Sequence, residues 1–218
     1  MISNALTPHP CTVDGQTRCG EDGVDCGGVC DQDGCDYNPW RVGNQTFFGP
    51  GPNFTIDTTK PFTVATSFVT ADGTDSGDLK DIQRYFVQHG VKVPFPPASL
   101  VDPTMSSITD EFCAKSKAVF NNTNDFAKKG GMKRVGDVLA KGMVLVMSLW
   151  DDAAAHMLWL DSLDPPPAGS APPAPGVSRG SCSTSSGVPS DVRREHPDAY
   201  VTYGNIKLGP IPAAVKQA

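Results

Sequence analysis

Charge is scarce in this chain, and basic charge is the scarcer sign. Only 19% of the 218 residues are Asp, Glu, Lys or Arg, with 24 acidic against 18 basic, a net charge of −6. Phosphate backbones draw basic surfaces, so this balance argues against a nucleic-acid partner. Long apolar runs are missing as well. Nothing approaches the ~20 residues of a membrane span, so no membrane partner is expected. Met1 to Pro10 lacks both the basic start and the apolar stretch of a signal peptide. No C-x-x-C pair occurs, which weakens the case for zinc, and neither a metal nor a cofactor is expected.

Turn-formers are abundant: 22 glycines and 20 prolines suit many turns between short strands rather than long helices. There are seven cysteines, five of them between Cys11 and Cys35 among glycines and aspartates that can build little core. A disulfide-stapled loop is the natural reading, with a zinc site as its rival, and spacing does not settle the connectivity. Such cysteines belong outside the cell, which conflicts with the missing leader.

The chain is organised around Lys141 to Ser162, KGMVLVMSLWDDAAAHMLWLDS. Alternation predicts a strand over Met143–Trp150, with Met143, Leu145, Met147 and Leu149 on an apolar face and Val144, Val146, Ser148 and Trp150 on the other. An indole beside Asp151 and Asp152 suits sugar binding. The flat ring covers the apolar C–H face of a pyranose and the carboxylates accept from its hydroxyls. Trp159 and Asp161 repeat the pairing. The plainer alternative is a core strand with one interfacial Trp and a solvated acidic turn.

Elsewhere, Ala71 to Asp81 reads as a polar hairpin turn and Ile82 to Gln88 as the returning strand. Helical spacing covers 110–119 and 125–139, with basic residues on the exposed faces. Asp164 to Gly176 has the composition of a linker but reads as a proline-stiffened surface loop. Ala199 to Ile206 alternates as a final strand. Sequons stand at Asn44, Asn53 and Asn121, relevant only if the chain is secreted, and Asn44 is the favoured one.

Seven segments share a further property. LTPHPC (Leu6 to Cys11), CDQDGCDYNPWRVGN (Cys30 to Asn44), FFGPGPNFTIDTTKPFTV (Phe47 to Val64) and RYFVQHG (Arg84 to Gly90) come first. MVLVMSLWDD with MLWLDS (Met143 to Ser162), RGSCSTSSGVPSDV (Arg179 to Val192) and NIKLGPI (Asn205 to Ile211) follow. In order and spacing they resemble glycoside hydrolase family 7, the secreted cellobiohydrolases and endoglucanases that cut β-1,4-glucan. The resemblance implies an all-β fold: a concanavalin A-like β-sandwich (jelly roll) of two curved antiparallel sheets, with short helices in loops, incomplete as given. It implies one catalytic-domain portion over 1–212, a frayed tail at 213–218, extracellular localisation, and a full-length protein acting as a monomer on cellulose or another β-1,4-glucan.

It also implies roles. His9 would sit by the acid/base and the leaving-group sugar. Asp33, Asp36, Arg41 and Arg179 would grip product-side glucose units, and Trp150, Asp151 and Trp159 would contact the glucan. For these the alternatives are a backbone-capping turn histidine at His9, a structural Asp36–Arg41 ion pair, and a loop-base charge at Arg179. The implied disulfides are Cys11–Cys30, Cys19–Cys26 and Cys35–Cys113, leaving Cys182 unpaired. Only Gly-Gly-Val separates Cys26 from Cys30, where tunnel-forming members carry a longer loop, so a more open cleft is expected.

The family's catalytic strand carries Glu-x-Asp-x-x-Glu, the nucleophile, its tuning aspartate and the acid/base. No such motif occurs here, so no catalytic residue is assigned. Asp151 and Asp152 cannot replace it, because adjacent strand residues face opposite ways. The reading is the C-terminal half of a retaining glucanase, carrying the leaving-group and product-side contacts. The alternatives are a non-catalytic glucan-binding protein and an incomplete product without activity.

Overall fold

A computed structural model describes residues 3–13, 29–166 and 172–210. The Cys19–Cys26 pair, Gly27–Gly28, the middle of the proline-rich loop and the 213–218 tail lie outside them.

Among the described residues, the largest sheet has three antiparallel strands in the order β3 (Thr63–Thr70), β4 (Leu79–Gln88), β5 (Val91–Pro94). The first hairpin is the predicted polar turn, with Asp72 accepting from the Thr74 N–H and hydroxyl at 3.0 Å each. The returning strand begins at Leu79, inside the span predicted as turn. The second hairpin was not predicted. His89 (φ 54) and Gly90 (φ 76) form its two-residue turn, whose left-handed pair matches the twist of the strands it joins. A short parallel pair, β1 (Phe48–Gly49) with β2 (Ile56–Asp57), lies apart from this sheet.

Helix α1 (Asp110–Val119) has the predicted bounds, for local reasons. Thr109 Oγ1 accepts from Phe112 N–H at 3.1 Å, and Asp110 and Glu111 suit the positive end of the helix dipole. The helix predicted over 125–139 is instead two helices, α2 (Asp125–Lys128) and α3 (Gly131–Lys141). Gly130 (φ 95) and Gly131 (φ 55) are both left-handed, which interrupts the helical ladder that periodicity alone had suggested. Gly136 lets α3 approach β4 closely, since a Cβ there would lie 2.6 Å from Leu79 Cβ. Two short helices follow, α4 (Leu158–Asp161) and α5 (Pro189–Glu195).

The core is aromatic. Tyr37 packs on Phe95 (4.9 Å) and Phe112 (4.8 Å), and Phe86 meets Phe47, Phe48, Phe62 and Phe95. Tyr37 also exchanges backbone hydrogen bonds with Leu6 (3.1 and 2.9 Å), laying Ser3–Pro10 beside the cysteine loop. Arg84 reaches from β4 to Thr66 Oγ1 and Ala5 O (3.2 Å each), and burial pushes its guanidinium down to about 10. The Cys35–Cys113 disulfide ties that loop to α1, and Cys11–Cys30 closes its start.

Two predicted strands are not formed. Met143–Trp150 belongs to no ladder among the described residues, and Val144 (86%), Leu145 (70%) and Val146 (76%) are exposed. Ala199–Ile206 behaves the same way, and its hydrogen bond to the first segment is Tyr203 O–H to Ser148 O at 3.1 Å. Alternation sets which side chains share a face, but a strand also needs a neighbour to take its N–H and C=O groups. No described residue supplies one.

Candidate functional site

Two clusters gather most of the residues singled out by sequence. The first is built on the turn after Cys35. Asp36 accepts from Arg41 Nη1 (3.1 Å), Arg179 Nη1 (3.2 Å) and Thr7 Oγ1 (3.4 Å). These groups are shielded, with Asp36 9%, Arg41 6% and Arg179 14% exposed. Arg41 also donates from Nε to Gly176 O (2.9 Å), and its guanidinium lies 4.5 Å over the Phe120 ring. Burial draws the Arg41 guanidinium below its ordinary value, and the adjacent Asp36 carboxylate opposes that. Arg179 reaches Asp164 as well, at 3.6 Å.

Asn38 joins this cluster to the second. Its Nδ2 lies 3.1 Å from Ser3 Oγ and 3.0 Å from both Leu160 O and Arg179 O, while its Oδ1 caps the Trp40 N–H (2.9 Å). Trp40 Nε1 donates to Ser178 Oγ at 2.9 Å. Three distant chain segments thus meet at one buried amide.

The second cluster is aromatic. Trp150 and Trp159 stack with centroids 6.2 Å apart and planes 28° from parallel, and Trp150 remains 57% exposed. Asp152 organises the turn between them. Its Oδ1 accepts from Ala154 N–H (2.9 Å) and Ala155 N–H (3.0 Å), and its Oδ2 accepts from Trp159 Nε1 (3.0 Å). These bonds, that from Ala155 first, hold its carboxyl below the usual range. His156 (φ 53) and Met157 (φ 60) complete the reversal into α4. Asp151 is held side-on by Arg193 of α5, with Nε at 2.7 Å from Oδ2 and Nη2 at 2.9 Å from Oδ1, and this pairing lowers its carboxyl.

His9 is exposed, and its Nδ1 lies 2.9 Å from Asp31 O, a backbone contact of the kind its alternative reading named. Asp33 is exposed too, outside the Asp36 network. Asp31 is 2% exposed, and among the described residues neither of its carboxylate oxygens has a hydrogen-bond partner. Cys182 is a free, half-buried thiol that burial pushes up. Among the described residues, no three His, Cys, Asp or Glu side chains converge as metal ligands.

Sequence reasoning missed Asn38 and Arg193, and it gave Asp152 a sugar-binding role with Asp151 rather than the turn-organising one. Asn38 precedes a proline, a turn signal. Arg193 lies 42 residues from its partner and carries no local signal.

A stacked indole pair with one ring exposed, bordered by fixed carboxylates, thus stands near a shielded arginine–aspartate network. The chain belongs to glycosyl hydrolase family 7, whose profile matches residues 1–214. It is similar to a cellobiohydrolase from Daphnia pulex, with 49% identity and a TM-score of 0.82 over 88% of this chain and 45% of that one. A Melanocarpus albomyces cellobiohydrolase complexed with cellotetraose shows 40% identity and a TM-score of 0.77 over 90% and 44%. The Humicola insolens endocellulase EGI shows 30% identity and 0.71 over 89% and 44%. The chain therefore spans a little under half the length of these relatives.

Proposed function

We propose that this chain carries the leaving-group and product-side part of a secreted retaining β-1,4-glucanase acting on cellulose or a related glucan. The observation that carries the reading is the Trp150–Trp159 pair with its carboxylates fixed by Arg193 and by the Asp152 turn. A stacked, exposed indole offers its face to a glucose ring, and Asp151 keeps lone pairs for hydroxyls beyond the two that Arg193 occupies. His9 and Asp33 supply solvent-facing polar groups. Asp36, Arg41 and Arg179 act chiefly by fixing the site's floor, with Arg179 the least enclosed at its acidic neighbours. The complete domain would be the jelly-roll sandwich of its family, monomeric, with Met143–Trp150 and Ala199–Ile206 as strands.

Retaining hydrolysis needs two carboxyl groups roughly 5–5.5 Å apart across the glycosidic bond. The Glu-x-Asp-x-x-Glu that supplies them in the family is not in this sequence. That observation favours a second reading, a polypeptide that binds glucan without cutting it. Incubating the chain with cellohexaose decides between them. Released cellobiose supports the glucanase, whereas retention on cellulose without product supports binding alone. Loss of retention in Trp150→Ala ties either result to the indole pair, and retention unchanged in that variant refutes both readings.

A further inference from the structure

The three sequons are distinguished by their surroundings. At Asn44 the nitrogen that would carry a glycan donates to Pro97 O at 2.6 Å. Asn53 lies exposed in an open turn. Asn121 combines exposure with a fixed backbone. It follows the last residue of α1 by two positions and is left-handed, with φ 53. Its own N–H donates to Ala118 O (3.3 Å), and the Asn122 N–H donates to Lys117 O (2.8 Å). That pair of bonds is the Schellman termination of a helix, with Asn121 at the position that demands positive φ. Asparagine tolerates this conformation better than other side chains that bear a Cβ. The Asn121 side chain makes no hydrogen bond within the described residues, and Thr123, the hydroxyl residue of the sequon, is exposed as well.

We propose that Asn121 is an N-glycan acceptor, presented by the terminating turn of α1. The inference rests on the secreted-glucanase reading only for its route through a glycosylating compartment. The donor is a lipid-pyrophosphate-linked oligosaccharide. Asn121 Nδ2 attacks the anomeric carbon of its first sugar and the C–O bond to pyrophosphate breaks. The lipid pyrophosphate leaves with the electron pair, and the amide gives up one proton. Thr123 supplies the hydroxyl that the sequon requires. Transfer meets the chain before it folds, so the fold decides compatibility. A sugar on Asn121 displaces no hydrogen bond, whereas one on Asn44 competes with the contact to Pro97 O.

The full chain, expressed behind a secretion leader in a eukaryotic host, tests this by mass spectrometry of the tryptic peptide Ala118–Lys128. Most copies should carry a glycan that an endoglycosidase removes from the native protein without denaturant. Asn121→Gly abolishes it while keeping the left-handed turn, Thr123→Ala abolishes it while leaving the asparagine, and Thr123→Ser retains it. An unmodified peptide from protein whose Cys35–Cys113 bond is oxidised overturns the proposal, because the oxidised bond shows that the chain passed through the secretory route. A glycan released only after denaturation overturns it too. Failure of the glucanase reading appears instead as absent glucan binding, which this readout does not involve.

Discussion

The Trp159 indole nitrogen donates to Asp152 Oδ2 at 3.0 Å, and the same carboxylate accepts backbone N–H groups of the turn that brings Trp159 under Trp150. One side chain thus sets both the loop and the ring orientation. Asp152→Ala should remove a capping interaction of about 1 kcal/mol and free the Trp159 ring. Near-ultraviolet circular dichroism should lose the signal of the coupled indoles, and retention on cellulose should fall several-fold. An unchanged spectrum would contradict the arrangement.

The same carboxylate gives a pH dependence of definite sign. Its folded-state value is depressed, so the stabilisation it provides is fully present above its unfolded value of about 3.9. That contribution is lost as pH falls through the lower folded value. Tryptophan fluorescence should be flat from neutrality down to about pH 4.5 and change only below it, and Asp152→Asn should flatten the acid limb.

Asp36 stands between two buried guanidiniums. Asp36→Ala leaves Arg41 facing Arg179 with only the more distant Asp164 as counter-charge, a loss approaching about 3–5 kcal/mol. Urea unfolding followed by far-ultraviolet circular dichroism should show the midpoint collapse. A small change would place these side chains in water rather than in the network.

The Cys35–Cys113 bond closes a separation of 78 residues. Loop-closure entropy gives such a cross-link a stabilisation of about 4 kcal/mol, so Cys113→Ala should cost an amount of that order. Cys182→Ser should leave the urea midpoint unchanged, because Cys182 closes no loop.

Hydrogen exchange should divide the chain sharply. Amides of Ile82–Gln88, paired on both sides over much of their length, should be protected, and those of Val144–Leu149 should exchange near unfolded rates. Protection of Val144–Leu149 in the isolated monomer would show that a ladder forms there.

How much of this was legible beforehand varies by element. The start of α1 was written into Thr109, Asp110 and Glu111, which act on the backbone within a turn of themselves. The hairpin after β3 was likewise written into its aspartates and glycines. The double glycine at 130–131 was equally local, yet the apolar period running across it hid the break. The Trp–Asp recurrence pointed to Trp150 and Trp159, although neither the stacking nor the role of Asp152 could be read from spacing.

By itself the sequence determined the family, the helix caps, the turns and the alternation of Met143–Trp150, all properties carried by residues close together in the chain. Tertiary structure decided which acidic groups are committed to arginines and which face solvent. It also decided that Asn38 joins three segments, that Arg193 holds Asp151 across 42 residues, and that the best alternating run remains without a ladder. The reason is physical. Caps and turns are satisfied within a few residues, whereas ion pairs, ring stacking and strand pairing depend on what the rest of the molecule brings within ångströms.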